Sequence, residues 1–539
     1  MAVFVVIYAS LVALHAMLLR LPYFWDEAGY FIPAARDLFL TGDPIAHTTL
    51  SNAHPPLVMA YLALVWKLTI YSPLVTRLAM LAMTSLGFTA IYLLARQLTN
   101  TAVAIATVTL SALYPVLFAQ SSLAQLDVGA LAFSSWALYL YVKDRLAASI
   151  VCSSLAIISK ETAVVVPLTF FAGEVVSNLI AKWRPAIAEK WCLRPHKPLR
   201  TAFAQLLALV PLVCWYAYHF RRTGHIFGNP EYLRYNVGAT ITPLRIAVSL
   251  LMRAWHTFGY MNLFVLTGAA LIALQLPARV DDGVERPRID LRVQVVFVLL
   301  ILAHIVEFSV LGGALLARYM IPVVPLAIML CVATLWRRVQ GWRWWTVACG
   351  AILVAALVSN PPWRIAPEDN LAYTDFVRLH QGAAEYCEHH YAGSTILTAW
   401  PASDELNRPF LGYVSRQLTV VHIENFTLSQ MLAARSQADN FDVIVAFSTK
   451  YEPPRDLLWR WKWWRRLQEK YFDFHEDVPP DAIAQMFGGR IVWRARRGGE
   501  WVAIIELPRI KNAEFRFRNI PVGSSYLRAR LAIFPPVTR

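Results

Sequence analysis

The sequence predicts a polytopic α-helical membrane protein of about eleven spans with a C-terminal extracytoplasmic α/β domain, and three observations predict it. Hydrophobic residues make up 57% of the 539 and charged residues 16%, with a mean hydropathy of +0.45, too apolar for a water-soluble chain of this size. Apolar runs long enough to approach the roughly 20 residues that cross a hydrocarbon core of about 30 Å recur between short charged breaks. Beyond about residue 360 the charge is mixed and short β-rich runs alternate with helical stretches, as in a small α/β domain. The expected division is a membrane domain over 1–360 and a soluble domain over 361–539.

The runs, in order, are 2–21, 74–95, 101–118, 126–142, 146–159, 161–179, 201–219, 246–276, 293–311, 317–335 and 344–359. The first lacks a basic leader and a small-residue cleavage signature, so it is expected to remain as a span. Residues 55–71 (PPLVMAYLALVWKLTIY) are apolar and nearly long enough to cross. Loop charge decides their placement, because basic loops gather on the cytoplasmic side. If 55–71 lies along the interface, then Arg96, the Lys143/Arg145 turn, Lys182 to Arg200, Arg279 to Arg292 and Arg337/Arg338/Arg343 all share that side. An interfacial or re-entrant helix is therefore expected there, with the N-terminus inside and the tail outside. The expected location is an inner membrane, with the soluble domain periplasmic.

In the tail, STILTAW, LTVVHI and FDVIVAF read as strands and YTDFVRLHQGAAEYCEHH as a helix. The segment LLWRWKWWRRLQEKYF (457–472) mixes aromatic and basic residues, which suits docking on lipid headgroups and equally a surface helix of the soluble domain. The net charge of +15 falls in clusters between apolar runs, so no nucleic acid is expected as a partner. Six scattered cysteines (Cys152, Cys192, Cys214, Cys331, Cys349, Cys387) give neither a disulfide framework nor zinc spacing.

Ionisable residues near a bilayer are costly, and their convergence on one face suggests a site. On the outer face the topology places Asp26 and Glu27, His54, Asp127, Lys160 and Glu161, Arg221 and Arg222, and Arg318. His304 and Glu307 lie within the ninth run, on one helix face. Each has a plain structural reading beside the functional one. Asp26 and Glu27 would cap the helix that follows, Lys160 and Arg318 would snorkel, Asp127 would cap a helix, and His304 with Glu307 would be a buried pair. The combination points to chemistry. The loop 220–244 is Gly-rich and aromatic and suits a lid, with Arg221, Arg222 and Tyr235 in reach of a phosphate or sugar hydroxyls. A transporter or lipid flippase is the rival class, but no paired interrupted helices recur in two halves. A scaffold whose tail recruits partners is the other.

A first outer loop opening on DE, then HPPL, then a polar break ending in Asp127, then KETA, then RYMIPVVP, resembles the GT-C superfamily of integral-membrane glycosyltransferases. Within it the similarity is to the branch of protein O-mannosyltransferases and the bacterial lipid A aminoarabinose transferase, over roughly residues 1–360. The resemblance implies inverting transfer of a sugar from a polyprenyl-phosphate donor to a hydroxyl acceptor at the outer face, with membrane lipid around the site. It assigns Asp26 as the base and Glu27 as a supporting carboxylate. His54, Lys160, Arg318 and Tyr319 become donor-phosphate residues, and Asp127, Glu161, Arg221, Arg222, Tyr235 and Glu307 substrate residues. No cofactor and no catalytic metal are expected. One departure concerns His54: the aminoarabinose transferases carry a lysine there, whereas HPP is the mannosyltransferase form, so a neutral hydrogen bond replaces a fixed cation.

Overall fold

The computed structural model describes residues 1–183, 199–230, 234, 241–454, 456–472 and 474–508. Among these, four helices are long and apolar enough to cross a membrane: Pro73–Leu98, Glu161–Trp183, Leu199–Thr223 and Leu291–Val310. A fifth span would be the pair Pro243–Phe258 and Leu263–Ala273, which meet at 82°. The remaining apolar runs form shorter helices, Ala2–Leu14, Leu57–Leu68, Thr101–Leu113, Leu126–Val142, Leu146–Ser159, Val324–Arg338 and Trp342–Val358. The count of about eleven full spans is thus not reproduced by helix length alone.

The shortening has a local cause. Leu126–Val142 begins one residue before Asp127, Leu146–Ser159 stops at Lys160, and the run expected over 317–335 opens with a 3₁₀ turn, Ala317–Met320, that carries Arg318. Helices that deliver a charged side chain to a cavity end at its rim. The run 246–276 breaks for a related reason: Met261 and Asn262 take left-handed conformations (φ 47° and 67°), and the adjacent Tyr260 hydroxyl donates to Asp369 at 2.6 Å. Residues 55–71 yield a helix of 12 residues, Leu57–Leu68, about 18 Å long, too short to cross on its own. Its buried face (Val58, Met59, Leu62, Trp66) packs under the first loop while Leu64 and Leu68 stay exposed, which fits an interfacial placement.

Helix Pro73–Leu98 is the hub of the bundle, packing on Leu126–Val142, Thr101–Leu113 and Ala2–Leu14. A Cβ at Gly87 would sit 3.0 Å from the Ala132 Cα, so the close crossing with Leu126–Val142 depends on the missing side chain.

The C-terminal part holds a five-stranded sheet. We label the strands β1 (Val280–Asp281) and β2 (Val284–Glu285), a small hairpin between membrane helices, then β3 (Thr395–Ala399), β4 (Thr419–Ile423), β5 (Val443–Phe447), β6 (Arg490–Arg497) and β7 (Glu500–Glu506). The order β4-β3-β5-β7-β6 has β3 parallel to β4 and β5, and β7 antiparallel to β5 and β6. The three expected strands and the helix Ala372–His390 are all present. The β6–β7 hairpin turns on Gly498 and Gly499, both at positive φ, and β5 (VIVAF) is buried along its whole length.

The sheet domain is clamped onto the first loop. Tyr413 donates to the Tyr23 carbonyl at 2.9 Å, Tyr71 to the Phe410 carbonyl at 2.7 Å, and Arg408 to the Thr48 carbonyl at 2.8 Å. Trp25 packs edge-on against Phe376 and Trp400.

Candidate active site

Glu27 opens a five-residue π-turn, Glu27–Phe31, an irregularity that often accompanies function. Trp25, immediately before Asp26, is held at φ 47°, and Ala53, immediately before His54, at φ 60°. Left-handed backbone at a residue other than glycine costs about 1–3 kcal/mol and persists where its surroundings impose it. At Trp25 the clamp is the ring packing against Phe376 and Trp400.

The two adjacent carboxylates turn in different directions. Asp26 faces a cavity of about 2460 Å³, which Glu27 does not line. Glu27 is fully buried and accepts from the Arg77 guanidinium, from the Phe24 N–H at 3.0 Å and from the Ala124 N–H at 2.5 Å. Arg77 also donates to the carbonyls of Ser122 (3.1 Å) and Pro22 (3.0 Å). Glu27, expected as a supporting carboxylate, ties the DE loop to the helix Pro73–Leu98 and to the turn that precedes Leu126–Val142, and stays out of the cavity, so no catalytic contact is open to it. A carboxylate so deep in the protein needs its full set of donors, which leaves none of its oxygens for substrate.

Around Asp26 the chain assembles an ion network from five separate segments. Arg318 bonds Asp26 through one terminal nitrogen and Glu368 through the other at 2.6 Å, and its Nε lies 3.8 Å from Asp127. That Nε is buried and has no hydrogen-bond partner among the described residues. Lys160 Nζ meets Asp127 at 2.6 Å and sits 4.2 Å from the centre of the Tyr319 ring, which stacks on Phe308. The loop bearing Arg318 is pinned by buried Arg253, which donates to the carbonyls of Phe308 (3.2 Å), Ala314 (3.1 Å) and Leu316 (2.6 Å). His54 Nδ1 and Glu161 pair at 3.0 Å on the same cavity wall. Glu307 also lines the cavity, and its Oε2 is buried without a partner among the described residues. His304 does not line it; its ring bonds the Leu300 carbonyl of its own helix.

Two expected substrate residues are not brought in. Arg221 and Arg222 end the helix Val210–Thr223 exposed to solvent, where Arg222 pairs with Asp43 at 2.7 Å, and neither lines the cavity. The left-handed cap at Gly224 turns the chain away after them, and Arg234 is the basic residue of this loop that reaches the wall. Tyr235 lies outside the described residues, as does much of the proposed lid and of the basic stretch from Lys182 to Arg200.

The sequence reading missed Glu368 and Asp369. Both lie in the turn Pro367–Asp369 between the last membrane helix and Ala372–His390, and both line the cavity. Burial pushes Glu368 up to about 8 against the opposing pull of Arg318, and burial raises Asp369 to about 6 against the hydrogen bond from Tyr260. In sequence, PED before a helix is indistinguishable from a helix start. Arg77 and Arg253 carried a readable signal, each being an arginine inside or at the edge of an apolar run. Among the described residues no group of three metal-ligating side chains is assembled.

Residues 53–215 match the family described as dolichyl-phosphate-mannose-protein mannosyltransferase. That stretch contains His54, Asp127, Lys160 and Glu161. No curated protein matches the chain. Among solved structures, ArnT from Cupriavidus metallidurans in the apo state aligns with a TM-score of 0.50 at 14% identity, covering 93% of this chain and 97% of ArnT. The same ArnT bound to undecaprenyl phosphate aligns at 0.49 and 15%, with the same coverage. The oligosaccharyltransferase from Archaeoglobus fulgidus, in complex with Zn and sulfate, aligns at 0.44 and 11%, over 82% of this chain and 67% of that one. The fold is that of ArnT, and the family match with it bears out the resemblance to GT-C glycosyltransferases, the ArnT and protein mannosyltransferase branch included.

Proposed function

We propose that the protein is an inverting glycosyltransferase that moves a sugar from a polyprenyl phosphate to a hydroxyl acceptor at the membrane surface. The observation that carries this is the convergence of Asp26, Asp127, Lys160 and Arg318, from four separate segments, on one cavity beside the membrane helices. The name of the matched family supports the donor class, since dolichyl phosphate is a polyprenyl-type phosphate.

The roles follow from charge and reach. The acceptor oxygen attacks the anomeric carbon, its proton passes to the Asp26 carboxylate, and the bond to phosphate breaks with the electron pair leaving on the lipid phosphate. Lys160, with protons beyond the one given to Asp127, and Arg318, whose Nε makes no hydrogen bond among the described residues, supply positive charge where that phosphate gains charge. The Arg318 contact orients Asp26 until substrate takes its place. Asp127 holds Lys160, His54 with Glu161 lines the same cavity, and Tyr319 shields the ammonium. The reading places the site on the outer face of an inner membrane, with the sheet domain periplasmic and no metal in the reaction.

Purified protein incubated with a panel of polyprenyl-phosphate sugars should consume one of them, read by mass spectrometry of the lipid. Asp26→Asn should cut transfer by roughly 10²- to 10⁴-fold, the usual weight of a general base. Unchanged transfer in that variant removes Asp26 from the role.

A further inference from the structure

The helix Lys462–Tyr471 belongs to the sheet domain by chain order, yet both of its flanks are fastened to the ends of membrane helices. On its N-terminal side the Leu457 N–H donates to the Pro362 carbonyl, and Asp456 pairs with Arg364 at 3.0 Å, just past the end of Trp342–Val358. On its C-terminal side the Tyr471 carbonyl accepts from Arg245, in the first turn of Pro243–Phe258, whose guanidinium also lies over the Phe472 ring. Ten residues span about 15 Å. A helix tethered across that distance between two membrane-helix ends lies at the depth where those helices leave the hydrocarbon.

Its two faces have opposite characters. Trp464, Gln468 and Phe472 recur at intervals of four and line the cavity that holds Asp26 and Lys160. Lys462, Arg466 and Lys470 fall on the opposite side and are exposed, next to Trp461 and Trp463, which are 54% and 60% exposed. The stretch from Arg460 to Tyr471 has five basic residues against the single acid Glu469, and no residue of the helix is buried. Among the described residues nothing buries this face. At headgroup depth, indole rings and ammonium or guanidinium groups meet the layer that tryptophan and basic side chains favour.

We propose that this helix lies in the lipid headgroup layer, its outward face bound to anionic lipid phosphates while its inward face walls the cavity. The segment then forms one wall of the entrance through which a lipid-linked substrate reaches the site. That second clause rests on the proposed glycosyl transfer, whereas the lipid contact does not.

The test uses the full-length protein in nanodiscs and reads amide hydrogen exchange of residues 461–471. Discs containing phosphatidylglycerol should slow exchange there by about tenfold relative to discs of phosphatidylcholine alone, given that each basic residue near an anionic surface contributes about fivefold in affinity. The triple variant K462E/R466E/K470E should lose that difference, with exchange in β5 and β7 unchanged as evidence of an intact fold. Equal exchange in the two kinds of disc overturns the proposal, and so does a difference that survives the triple variant. No sugar donor enters the measurement, so failure of the proposed enzymatic reaction and failure of the lipid contact are told apart.

Discussion

The pair Glu27–Arg77 is the sharpest place to perturb this protein, because neither group reaches solvent: the side chains are 0% and 1% exposed. Glu27 accepts from Arg77 and two backbone N–H groups, and Arg77 donates to two backbone carbonyls besides. Glu27→Gln keeps the shape and a carbonyl acceptor but strands a buried guanidinium. Arg77→Gln strands a buried carboxylate. Breaking one side of a buried ion pair costs about 3–5 kcal/mol, mostly as the penalty of the charge left behind. The double variant E27Q/R77Q removes both charges while leaving an amide to serve each set of backbone partners. Its cost should fall short of the sum of the two singles by at least about 3 kcal/mol. Unfolding by sodium dodecyl sulfate titration in mixed micelles, followed by near-UV circular dichroism, ranks the four proteins. Each single should also slow sugar transfer by roughly 10²-fold, since Asp26 follows directly from the backbone that Glu27 anchors and small misplacements of a reacting group have that effect. Costs that add to within about 0.5 kcal/mol would refute the coupling.

Three further outcomes are expected. Lys160→Met should lower transfer by roughly 10²- to 10³-fold and weaken donor binding, with Lys160→Arg recovering part of it; a binding isotherm for the polyprenyl phosphate alone separates this from a folding defect. Glu368 keeps a proton in the folded chain that an unfolded glutamate loses above 4.5, so folding stability contributed by this group falls as pH rises from about 4.5 to about 8. Melting temperatures of wild type and Glu368→Gln across that range should show a shallower decline in the variant, and parallel curves would contradict the assignment. A Cβ at Gly29 would overlap the Trp400 indole, so Gly29→Ala should cost about 1–3 kcal/mol and loosen the seat of the sheet domain. Faster protease cleavage between residues 360 and 372, with the sheet itself intact, is the expected signature.

The candidate site was legible in the sequence wherever a charge interrupted an apolar run. Asp26, Asp127, Lys160 and Arg318 stood out because a bilayer penalises each of them, and the structure brings all four within one network. Arg221 and Arg222 had the same signature, but a helix end can point a side chain outward as readily as inward. The difference lies in the turn at Gly224, which no composition reports. Glu27 and Asp26 are neighbours with opposite fates for a similar reason: a left-handed residue and a π-turn decide which carboxylate sees the cavity.

By itself the sequence determined the membrane class, the change of character near residue 360, and the strands β3, β4 and β5, because hydrophobic length and period are local properties of the chain. Only the tertiary structure decided that Glu368 and Asp369 belong to the site. Their burial and their partners come from residues 50 and 109 positions away in sequence, and a carboxylate's environment is set by what packs against it.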